Sequence, residues 1–194
     1  MLAVAAAMAT RSGADQVVRG TFGFVVVPLL AYGAVTATLG GHGLRASVRP
    51  LVVLGADAGR AALAAVLASA VLAALACAAV GAVVCVLAHR AGDPPLLQDV
   101  VATAGISLLA GAAYAAYFCA GSAIGKGAMR GAFLAIDWLV GSQGGFGSLF
   151  TPRGHLTSLL GGAQAFELPA RTSSIVLVGL TLLYTIAAVR LGRR

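Results

Sequence analysis

Charge is what this sequence has least of. Only 10% of its 194 residues are charged, and six of them are acidic. Soluble domains carry about 25%, so a water-facing surface around a globular core is excluded, and a soluble enzyme with it. Cysteine is scarce as well. Cys77, Cys85 and Cys119 lie within apolar runs and form no CxxC pair, which argues against a disulfide framework and for buried structural thiols. Aromatic residues make up 6% and interleave with no basic patch, so the net charge of +7 is not a nucleic-acid footprint. Catalytic signatures are missing too: there is no GxSxG elbow and no HExxH pair. His42, His89 and His155 each stand near the end of an apolar run without a paired carboxylate. No metal and no cofactor is expected. The stretch Gly121–Gly127, GSAIGKG, has three residues between its glycines where a phosphate-binding loop needs four, and Gly127 stands where that loop needs Ser or Thr. It closes an apolar run and follows no soluble strand, so the chain holds no nucleotide site of its own.

What the chain does have is hydrocarbon. It is 60% hydrophobic, with a mean hydropathy of +0.97, which predicts an all-α, polytopic transmembrane bundle of five to six spans in a single domain covering residues 1–194. The spans are expected near residues 22–40, 61–88, 97–124, 131–150 and 173–189. Pro28 is expected to kink the first, as membrane helices tolerate. Ala, Gly and Ser on one side of 61–88 suit close helix contact. Residues 131–150 are loosely built: Asp137, Ser142, Gln143 and several glycines interrupt them, which predicts a broken or short helix. Residues 151–172 are too polar to cross. There, 155–160 and 166–168 are expected as short interfacial helices or a re-entrant pair, and Ser173 or Ser174 is expected to cap the last helix. Met1–Thr10 is apolar but too short to span; it reads as a weak signal-like segment or the tail of a helix that begins elsewhere.

Arginines fall into two sets. Arg45, Arg49 and Arg60, then Lys126 and Arg130, then Arg190, Arg193 and Arg194 alternate along the chain with Arg11 and Arg19, Arg90, and Arg153 and Arg171. The first set is richer, which predicts that it faces the cytoplasm with the C-terminus and that the N-terminus lies outside. The loop 41–60, GHGLRASVRPLVVLGADAGR, concentrates three of these arginines around an apolar core. Each charge would cost roughly 2.5–3.5 kcal/mol at the centre of a membrane helix, so the loop stays at one face. An interfacial helix is expected over 48–58, with Leu51, Val52 and Leu54 against apolar surroundings and Asp57 and Arg60 toward water.

An acid within a span is a functional candidate by default. Asp137 is that acid, a possible intramembrane polar site; beside Trp138 it can also be read as a residue snorkelling at an interfacial belt. Asp99 reads as a helix-start residue. GxxxG spacings at Gly55/Gly59, Gly121/Gly125, Gly127/Gly131 and Gly141/Gly145 are read first as intramolecular packing.

Three stretches resemble the membrane subunit of ATP-binding-cassette exporters of the second permease type, the drug, antibiotic and polysaccharide export class. Residues 44–75, LRASVRPLVVLGADAGRAALAAVLASAVLAAL, look like that family's cytosolic coupling segment running into the next helix. Residues 149–162, LFTPRGHLTSLLGG, are similar to the proline-then-short-helix stretch before its last span. Residues 173–194, SSIVLVGLTLLYTIAAVRLGRR, resemble its final helix and basic tail. The resemblance is one of layout over about residues 20–194, and the family has six spans where five are read here. It implies a permease in the cytoplasmic (inner) membrane, working as a homodimer or heterodimer with the substrate path between two copies; the alanine- and glycine-rich, lysine-poor composition points to a bacterium. A separate cytosolic ATP-binding subunit would dock on Arg45, Arg49, Leu51, Leu54 and Arg60. Two other classes remain open: a non-catalytic subunit or assembly factor of a larger membrane complex, and a membrane enzyme using Asp137 with His155.

Overall fold

The computed structural model describes residues 17–90, 93–125, 127–143, 145–162 and 168–193. Met1–Thr10, Arg11, Lys126, residues 166–167 and Arg194, all weighed above, lie outside them. The described residues form helices and turns and no strand, an all-α bundle as composition predicts.

The chain enters through a π-helical segment, Val18–Val26, that runs into α1, Val27–Leu39. Pro28 stands in the first turn of α1, directly after the π segment, so its missing N–H leaves a carbonyl one turn earlier without a helical donor. The helix stops at Gly40, whose φ of 66° suits glycine. Helix α2, Leu44–Val53, lies across the end of the bundle, and α3, Ala58–Ala88, leaves it. Asp57 caps α3 by accepting the Arg60 N–H at 2.8 Å. After the Asp93–Pro95 turn, α4 spans Leu96–Ile124 with Asp99 in its first turn, where the positive end of the helix dipole favours an acid. Three short pieces follow: α5, Met129–Val140; a 3-10 turn, Phe146–Phe150; and α6, Pro152–Leu159. Helix α7, Ala170–Gly192, closes the described chain.

Among the described residues, four stretches are long and apolar enough to cross a membrane: Val18–Val53, Ala58–Ala88, Leu96–Ile124 and Ala170–Gly192. In the first, the crossing part is the π segment with α1, because the chain turns at 40–43. Residues 131–150 form no continuous helix. They belong instead to a broken traverse, α5 with the 3-10 turn and α6, which carries the chain from one end of the bundle to the other. At its start, Arg130 donates to Gly40 O and to Thr36 Oγ1, at the end of α1. Midway, Trp138 Nε1 donates to Phe24 O at 3.3 Å, and Tyr184 of α7 donates to Phe150 O at 2.5 Å. At its finish, Ser173 Oγ at the start of α7 donates to Ser158 Oγ at 3.2 Å. As a result α4 and α7 run in the same direction.

Where the structure departs from the sequence reading, burial decides. Helix α6 is no interfacial piece: Arg153, Gly154, His155, Leu156 and Ser158 are all buried in the bundle. Ser173 does not cap α7, which begins at Ala170 after Pro169; it pins the helix to α6 instead. Helix α2 begins four residues earlier than expected, anchored by buried Leu44 and Val48, while Leu51, Val52 and Leu54 are exposed.

The tightest helix contact lies between α3 and α4. A Cβ built on Gly111 would sit 2.7 Å from the Ala73 carbonyl oxygen, a backbone atom that cannot swing aside. Gly111→Ala should therefore lower stability by about 1–3 kcal/mol, an overpacking cost, visible as a drop in melting temperature in detergent. Gly105→Ala, with nothing within 4 Å of its Cβ, should leave it unchanged or slightly raised.

Candidate functional site

Asp137 sits near the end of α5 and is fully buried. Snorkelling at an interface is therefore not its role. Its Oδ2 accepts Tyr114 Oη from α4 at 2.9 Å and Arg153 Nε from α6 at 3.0 Å, and its Oδ1 accepts the Arg153 backbone N–H at 3.2 Å. Three donors from two helices thus converge on one carboxylate. The sequence reading put Arg153 at the outer end with Arg171; the structure buries it to 2% exposure mid-bundle. The acid explains this, since a buried charge persists only where it is paired and hydrogen-bonded.

Arg153 reaches further. Its Nη2 donates to Phe24 O at 2.9 Å, and its guanidinium carbon lies 4.0 Å from the centre of the Phe24 ring, over its face. Phe24 O has a reason to accept. In an α-helix its donor would be the N–H of residue 28, and residue 28 is proline. The acceptor freed by Pro28 is taken by Arg153 and by Trp138. One polar centre therefore ties together the π segment, α4, α5 and α6. Nearby, Gly141 lets α5 end against α6: a Cβ there would meet Thr151 Oγ1 at 2.7 Å and Arg153 Cβ at 2.8 Å. His155 does not join the carboxylate; its Nε2 is 3.0 Å from Leu149 O, so the acid/base pair considered above is not assembled.

A second surface lies at the end of the bundle where α1, α4 and α7 finish. Arg45 Nε donates to Leu191 O at 3.2 Å, and Ser47 Oγ donates to Gly43 O at 2.7 Å and to Leu39 O. A Cβ on Gly43, whose φ is 93°, would sit 2.9 Å from Ser122 O, so the backbone of the loop lies directly on α4. Held this way, α2 turns Arg49, Leu51, Val53 and Leu54 outward, Leu54 being 84% and Val53 78% exposed. Arg60 is exposed one turn into α3. The five residues singled out from the loop thus share one end of the molecule, and Arg45 is partly engaged by its own bundle.

Sequence reasoning missed Arg153, Tyr114 and the Phe24 carbonyl. The signal for the last was Pro28 within an apolar run. For Arg153 it was a lone arginine just after a proline, read as a loop charge. The free thiols Cys77, Cys85 and Cys119 are buried, and no cluster of three metal-ligating side chains occurs among the described residues. No family model matches the chain, and neither a curated protein nor a solved structure matches it.

Asp137→Ala leaves Arg153 buried and unpaired. It should cost about 3–5 kcal/mol and shift the detergent melting curve sharply down. Asp137→Asn with Arg153→Gln, which removes both charges and keeps hydrogen-bonding groups, should cost markedly less. Equal losses in the two variants would show that the ion pair does not set the cost.

Proposed function

We propose that the chain is a membrane-spanning permease subunit of an ATP-binding-cassette exporter, driven by a separate ATP-binding subunit docked on α2. The observation that carries this reading is the mounting of α2. Its inner side is locked to the ends of α1, α4 and α7, and its outer side is an arginine-flanked apolar ridge whose Val53 and Leu54 are largely exposed. A push on α2 is therefore delivered to several crossing helices at once. The broken traverse supports the same reading, since discontinuous helices around a polar centre suit alternating access.

Topology follows from charge. The α2 end carries Arg45, Arg49, Arg60, Arg130, Arg190 and Arg193; the other end carries Arg19, Arg90 and Arg171, Arg153 having moved to mid-bundle. By the positive-inside rule the α2 end is cytoplasmic, and the C-terminus with it, in a bacterial inner membrane. The permease acts as a dimer with the substrate path between two copies. On the partner ATPase, acidic side chains would meet Arg45 and Arg49, and an apolar groove would take Leu51 and Leu54.

Co-purification in mild detergent, followed by an ATPase assay of what is retained, tests this. The wild type should hold a cytosolic ATPase, and Arg45→Glu/Arg49→Glu should weaken its retention at least about tenfold, or 1.4 kcal/mol, while keeping a monodisperse bundle. Recovery of membrane subunits alone, without ATPase activity, would replace the transporter with a structural subunit of a larger complex.

A further inference from the structure

The nine-residue π segment needs an account of its own. π-Helical geometry appears mostly as single-turn insertions, often at functional sites, and this one is longer. The Val27 N–H bonds Phe22 O, five residues back, where an α-helix would use Gly23 O. Pro28, just past the segment, disfavours the α register at Phe24, but no residue within the segment demands the π register. Val18–Val26 has no proline, and Gly20 and Gly23 permit either form. What holds it lies outside the segment. Phe24 O, denied an α-helical donor by Pro28, is caught by Arg153 Nη2 and Trp138 Nε1, and the Phe24 ring lies against the Arg153 guanidinium. Arg153 is held in turn by Asp137 and keeps one buried donor, Nη1, without a partner.

We propose that Val18–Val26 is a register switch, latched in its π form by the hold of Arg153 and Trp138 on the Phe24 carbonyl. When the hold is released, the segment winds into α-helical register continuous with α1. Rewinding turns residues 18–23 about the helix axis. That takes Gly23 away from Leu160, whose Cδ1 lies 2.7 Å from a Cβ built on Gly23, and Arg19 away from Gly161, whose Cβ would lie 2.9 Å from Arg19 Nη2. Movement at the broken traverse is thereby passed to the end of the bundle opposite α2. The switch is a bistable element within this chain and holds whether or not an ATPase docks on α2.

Cross-linking of a cysteine pair in native membranes tests it. In a Cys77→Ala/Cys85→Ala/Cys119→Ala background, Gly23→Cys with Leu160→Cys reports the π register. Ser158→Cys with Ser173→Cys reports the neighbouring α6–α7 contact, which the switch does not move. The latched protein should oxidise readily at both pairs. Asp137→Asn/Arg153→Gln should slow the first pair at least fivefold and leave the second unchanged. Pro28→Ala keeps the ion pair but gives Phe24 O an in-helix donor; it should slow the first pair as well, and it serves if the neutralised pair folds poorly. Three results would each overturn the switch: no cross-linking at Gly23/Leu160 in the latched protein, the same rate there in latched and released forms, or equal slowing at both pairs.

Discussion

A carbonyl without its usual donor organises the centre of this protein. Pro28 cannot supply the hydrogen bond that Phe24 O would receive in an unbroken α-helix. In an apolar interior that oxygen has to be satisfied from elsewhere. Arg153 supplies the bond, but an arginine placed there brings a charge, and the charge brings Asp137. The carboxylate in turn collects Tyr114 Oη and the Arg153 backbone N–H at the start of α6. The break between α5 and α6, and the resulting parallel course of α4 and α7, follow from where those partners must stand.

The centre matters for a reason other than its energy. A buried ion pair is weak evidence for stability, since an apolar replacement of like volume often does as well. Its value lies in specifying arrangement: Asp137 can be satisfied only if α4, α5 and α6 meet at one depth. Much of the bundle's core is alanine, which fits many registers equally. The polar centre picks one of them.

The sequence made the fold class and most of the long helices legible, because charge marks their ends and uninterrupted aliphatic runs mark their lengths. It also indicated that residues 131–150 would not form a plain span, through Asp137 and the glycines that follow. It could not show that α6 is buried. PRGHLTSL carries an arginine and a histidine and reads as polar until its partners, 16 and 129 residues away in Asp137 and Phe24, are brought beside it. Long-range pairing of that kind leaves no periodicity to detect. The start of α2 was misplaced for a related reason. Leu44 and Val48 look no different from Leu51 and Leu54 until the ends of α4 and α7 are there to bury them.

The shared direction of α1, α4 and α7 has an electrostatic consequence. Three helix C-termini gather at the α2 end, against the N-termini of α3 and α5, so the backbone itself places an excess of partial negative charge there. Arg130 donates to Gly40 O, directly after α1, and Arg45 to Leu191 O, near the end of α7. These two cations neutralise helix dipoles before they face anything outside. Arg49, Arg60, Arg190 and Arg193, all exposed at the same end, are left to carry the long-range field there.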